Sequence, residues 1–80
     1  MNRIMCELLR VAEHKRQSDG TKYYSITILI ENKTTVLFFN NQELFENLNK
    51  LERLSDVCLL GELKIKDDHS FIFVPQNFEM

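Results

Sequence analysis

The residues best placed to do chemistry are a cluster of cations followed by aromatic rings. Arg10, the run His14-Lys15-Arg16 and then Lys22 form the one positive cluster of the chain. Lysine and arginine at such spacing can contact successive phosphates. Tyr23 follows at once, and the pair Phe38-Phe39 comes fifteen residues later. Rings of this kind can stack on unpaired bases, each contributing about 1–3 kcal/mol. The expected site is therefore Arg10, Lys15, Arg16, Lys22 and Lys33 on the backbone, with Tyr23 and Phe39 as stacking surfaces. Neighbours on a strand point to opposite faces, so only one of Phe38 and Phe39 can face outward. Phe39 is taken as that residue.

Other chemistry finds little support. There is no nucleophile elbow, no glycine-rich phosphate loop and no pair of carboxylates in an apolar frame, so no catalytic residue is assigned. Asp67-Asp68-His69 reads as a solvated turn, because three adjacent turn residues cannot all aim at one ion unaided. His14 reads as part of a polar loop. Neither a metal nor any other cofactor is expected. Cys6 and Cys58 each lie in an apolar run at a spacing that fits no zinc or redox motif, and read as free, buried thiols.

These residues must be positioned by short elements. Arg3 to Val11 reads as a first strand, with a bulge or bend between Glu7 and Leu9 that lets both apolar sets face a core. Residues 12–21 form a polar hairpin loop containing Asp19-Gly20, a strong turn signal. Residues 22–31 are a strand with Tyr24, Ile26, Ile28 and Ile30 inward and Tyr23 outward. Asn32-Lys33 is a tight turn, and residues 34–39 return as strand three. Asn40 is the expected N-cap of a helix reaching Leu54, with Glu43 completing a capping box. Val57 to Lys66 is strand four, Asp67 to His69 a turn, and Ser70 to Val74 strand five. Pro75 is expected to end it, leaving Gln76 to Met80 as a tail.

Strands on both sides of a lone helix define the fold class. It is mostly β: a small five-stranded OB-fold-like Greek-key barrel, with one α-helix between strands three and four. Eighty residues suit one domain, 1–80. The 44% hydrophobic content is too high for a disordered chain, while no apolar run approaches the ~20 residues that cross a bilayer. Glu7 and Arg10 interrupt any signal-peptide core, so a cytoplasmic protein with no membrane partner is expected.

Charge is unevenly shared. Residues 1–40 carry six Lys or Arg against four Asp or Glu, and residues 41–80 four against eight. The net charge of −2 lacks the basic footprint of a typical nucleic-acid binder, so binding must come from a local patch.

Val36-Leu37-Phe38-Phe39, the helix, and Asp56 to Lys64 with its apolar-Gly61-x-Leu63 step resemble the bacterial single-stranded DNA-binding proteins and the related primosomal replication proteins. Tyr24 to Ile30 resembles the second strand of that family, and the order of elements matches over roughly residues 4–74. The chain has no Trp and no acidic tail. The resemblance therefore implies a minimal, non-enzymatic binder of single-stranded DNA or RNA. An accessory replication or recombination protein of a phage or mobile element would fit. It also implies a homodimer. Leu29, Leu37, Leu59, Phe71 and Phe73 exceed what a thin barrel needs, so residues 2–9 or the outer face of strands four and five are the expected contact. The competing reading is a protein-interaction OB domain acting as an adaptor or inhibitor, favoured by the acidic half and the apolar faces of the last strand.

Overall fold

Strand β1 (Asn2–Lys15) is long enough to serve two partners, and the barrel is built around it. Its first half pairs antiparallel with β4 (Asp56–Ile65) and its second half with β2 (Lys22–Ile30). The changeover falls at Glu7, which pairs with both Asp56 and Leu29, and a bulge follows at Leu9, where the register shifts between Leu8 and Arg10. The extra residue bends the strand, so Cys6 and Leu8 before it and Val11 after it can all reach one core. The computed structural model describes residues 2–80.

The other elements are β3 (Lys33–Phe39), α1 (Gln42–Asn49) and β5 (Phe71–Glu79). All ladders are antiparallel, and the sheet order is β3-β2-β1-β4-β5. The fourth strand thus returns beside the first, a Greek-key connection. Edge strands β3 and β5 approach one another and curl the sheet into an OB barrel. The core holds Leu8, Ile26, Ile28, Leu59 and Val57, with Leu44 and Leu48 of α1 packed over one end. Both cysteines are free and buried. Burial, and secondarily Cys58, pushes the Cys6 thiol up to about 11, so it packs as a neutral apolar group.

Several boundaries move from the sequence expectation, each for a local reason. The strand β1 runs on to Lys15, so Ala12 to Lys15 are ladder residues and the hairpin loop shrinks to residues 16–21. The β2–β3 turn is Glu31-Asn32, both at positive φ, and Lys33 belongs to β3 opposite Ile30. The N-cap is Asn41, whose Oδ1 accepts from the Leu44 amide at 3.0 Å, one residue later than expected and without a capping box. The helix stops at Asn49 because the chain beyond it is drawn to the bulge. The Leu54 amide donates to the Leu8 carbonyl at 2.6 Å, and the Leu8 amide donates to the Ser55 carbonyl at 2.9 Å.

Pro75 does not end β5. It lies opposite Gly61 at a register shift between Leu60 and Gly61, and the strand continues to Glu79. A bulge tolerates the missing proline N–H. Gly61 lies against the Val74 backbone so closely that a Cβ would overlap the Val74 carbonyl. Leu59 and Phe73, expected to lack internal partners, belong to the core, whereas Phe71 is exposed.

Candidate nucleic-acid interface

Pairing fixes which residues share a face. Opposite partners lie on the same side of a sheet, and successive residues alternate. His14 faces Tyr23, Ala12 faces Ser25, and Arg10 faces Thr27; from the other side, Phe38 faces Ser25 and Val36 faces Thr27. The outer face of β1, β2 and β3 therefore carries His14, Tyr23 and Phe38 at one end. Their rings meet. His14 and Tyr23 stack with centroids 5.0 Å apart and planes within 21°. Phe38 lies tilted against both, at 6.3 Å from His14 and 6.1 Å from Tyr23.

This ring cluster covers Ser25. The serine points outward by register, yet it is only 4% exposed, and its Oγ shares a 2.8 Å hydrogen bond with His14 Nε2. A buried hydroxyl is thereby satisfied, and the imidazole is held against Tyr23. Phe38 itself remains 55% exposed. An exposed ring locked by its neighbours loses little entropy when a flat ligand stacks on it.

A groove of about 550 Å³ opens beside the rings, lined by Arg16, Tyr23, Phe38, Phe39, Asn40, Lys64 and Val74. It adjoins at Phe38 a second hollow of about 400 Å³, lined by Val36, Lys66, Phe71 and Ile72 among others. One wall is the β2–β3 face and the other is the β4–β5 hairpin. Arg16, Lys64 and Lys66 bring three cations to the combined channel, although the chain is acidic overall.

Both hairpin tips that border the channel are tied by an aspartate. Asp19 Oδ1 accepts from the Thr21 amide at 2.9 Å, and Arg16 exchanges backbone bonds with Thr21 and Gly20. Asp68 Oδ1 accepts from the Ser70 hydroxyl at 2.6 Å and from its amide at 3.0 Å, while Lys66 donates to the Ser70 carbonyl. The Thr21 bonds, with Arg16 adding less, hold the Asp19 carboxyl below the usual range; the Ser70 bonds do the same for Asp68. Sequence order thus becomes loop order, and loop order sets where Arg16 and Lys66 emerge.

The expected site residues are only partly brought together. Tyr23 and Arg16 line the groove, and Phe39 borders it from the core side. Arg10 is on the same face but four residues along β1 from His14, roughly 13 Å at the strand rise of about 3.3 Å per residue. Lys15 and Lys22 pair with each other one step out of phase with His14 and Tyr23, so they point to the opposite face. There Lys22 lies 3.9 Å from Glu13. Lys33 sits opposite Ile30, seven residues from Tyr23 and roughly 23 Å away by the same rise of about 3.3 Å. Phe39 is corrected as to its face. It pairs with Tyr24, is 4% exposed, and packs its ring 5.7 Å from that of Tyr24, so it belongs to the core and Phe38 takes the outward position.

Comparison with solved structures decides the fold. The chain superposes over its full length on the crystal structure of the SSB domain of a protein from Synechococcus sp., with a TM-score of 0.59 and 96% of that chain covered. It has the fold of an SSB domain. The two sequences are 15% identical, so the likeness is one of architecture. No protein-family model matches the chain, and no curated protein matches its sequence.

Within this SSB-like fold, sequence reasoning missed His14, Lys64 and Lys66. His14 was hidden by the assumed loop, although its polar neighbours Glu13 and Lys15 alternate with it as strand residues should. Lys64 and Lys66 alternate with Leu63 and Ile65, a signal that could have marked them as a separate face. Among the described residues no cluster of His, Cys, Asp or Glu could hold a metal ion. No helix among them is long and apolar enough to cross a membrane.

Proposed function

We propose that this chain is a non-enzymatic binder of single-stranded nucleic acid, using the channel between the His14–Tyr23–Phe38 cluster and the β4–β5 hairpin. The observation that carries the reading is the meeting of the half-buried Tyr23 and the exposed Phe38 with Arg16 and Lys64 at one groove and with Lys66 at the hollow that adjoins it. Bases stack on Tyr23 and Phe38 while the cations neutralise phosphates. Duplex DNA keeps its bases stacked inside and cannot use the ring platform, so single strands are preferred. The SSB domain of the Synechococcus protein supports the reading by sharing the architecture. A small accessory replication or recombination role in the cytoplasm, of the kind found in phages and mobile elements, fits the absence of Trp from these 80 residues.

Self-association is part of this proposal. Leu63 and Ile65 lie on one side of the β4–β5 hairpin, next to Phe71 of the channel hollow, and are 52% and 68% exposed. A contiguous apolar surface of this kind suits a two-fold contact or an adaptor's protein partner. Sedimentation equilibrium separates the two, since only the first gives a dimer of the isolated chain.

Fluorescence anisotropy with a labelled oligothymidylate tests the main reading. Saturable binding that an unlabelled duplex of equal length competes for poorly is expected. Failure to bind at low salt would overturn it.

A further inference from the structure

His14 is the one imidazole in the ring cluster, stacked on Tyr23 and bonded to Ser25, and nothing in the stacking role requires a histidine there. A phenylalanine would fill the same space. The imidazole differs in its bond to Ser25 and in its ability to take up a proton. We propose that His14, which stacks on the groove residue Tyr23 at the groove's edge, is a further nucleic-acid contact. Neutral, it holds Tyr23 in place; protonated, it adds a cation for a phosphate beside those of Arg16 and Lys64. The inference rests on the reading of the groove as a single-strand site.

The surroundings favour such a role. On β2 the outer face beside His14 carries Tyr23 and Ser25, and on β3 it carries Phe38. None of these is a carboxylate that would capture the imidazolium. Arg16 lies in the adjoining loop and is 3.7 Å from Asp19. Glu13, Lys15 and Lys22 alternate to the opposite face, where Glu13 is engaged with Lys22. Lys64 lies across the groove and Arg10 further along β1. An imidazolium at position 14 is therefore left with the faces of Tyr23 and Phe38, which favour a cation, and with whatever anion enters the groove.

The test is the affinity for oligothymidylate, whose bases do not titrate in the range, at about pH 5.5 and about pH 8, where histidine changes charge. The wild type should bind about three- to fivefold more tightly at the lower pH, the worth of one exposed charge contact. Its log–log salt slope should steepen by about 0.7, for one more phosphate neutralised. His14→Phe and His14→Gln should both lose the pH dependence, and His69→Gln, which removes the other histidine, should keep it. A pH dependence that survives in both His14 variants, or vanishes in His69→Gln, overturns the inference and leaves the groove reading standing. So does pH-independent binding by the wild type. No binding by the wild type at either pH would overturn both.

Discussion

Tyr23 and Phe38 lie on neighbouring strands with ring centroids 6.1 Å apart and planes inclined by 52°. Each is followed in sequence by a ring that turns the other way: Tyr24 and Phe39 are directly paired and lie buried with centroids 5.7 Å apart. One dipeptide step on each strand therefore separates the proposed ligand surface from the core. The two sets of rings answer differently to substitution.

Tyr23→Ala and Phe38→Ala should each weaken oligonucleotide binding by about 1–3 kcal/mol, with unfolding free energy little changed. Phe39→Ala should do the reverse, destabilising the fold by about 3–5 kcal/mol as a buried ring is lost. Anisotropy titrations paired with urea denaturation check the contrast. A Phe38 variant that unfolds easily and binds normally would contradict it.

Arg16, Lys64 and Lys66 should each contribute to the salt dependence. Replacing any one by Gln is expected to reduce the log–log salt slope by about 0.7. Lys22→Gln and Lys33→Gln should change it far less, because Lys22 points to the opposite face and Lys33 sits at the far end of the hairpin. Equal effects at all five positions would mean that attraction is spread over the surface and the groove is not special.

The alternation of apolar residues made strand two legible. Tyr24, Ile26 and Ile28 are buried as period two requires, and the bulge near Leu9 follows from a strand with apolar residues in both phases. The order of elements and the lone helix were legible for the same reason. What could not be read were ends and faces set by distant partners. Lys15 looked like loop because its partner, Lys22, is also charged. Leu54 looked helical because its bond to Leu8 is a tertiary one. Phe38 and Phe39 are equivalent in composition, and only the pairing of β3 with β2 tells them apart.

Gly61 should not tolerate a side chain. Gly61→Ala would drive a methyl group into the Val74 carbonyl and the Phe73 ring. A loss of about 1–3 kcal/mol is expected from this overpacking, with displacement of the β4–β5 bulge. Thermal or urea unfolding measures it, and an unchanged midpoint would show that the hairpin shifts freely.

The two aspartate-tied hairpin tips should loosen in acid. A carboxyl held below its ordinary value stabilises the folded loop fully above the unfolded range near about 3.9. It loses that contribution as pH falls through the folded value. The Thr21 and Ser70 amide resonances should therefore titrate with midpoints below that of a free aspartate. Midpoints at or above it would mean that the side-chain bonds of Asp19 and Asp68 do not hold in solution.

The most direct measurement is a chemical-shift map of the labelled protein titrated with oligothymidylate. The largest changes should fall on His14, Tyr23, Ser25 and Phe38 on one wall and on Lys64 and Lys66 on the other. Changes centred on Leu63 and Ile65, or on Glu13 and Lys22, with the ring cluster silent, would contradict the assignment of the groove.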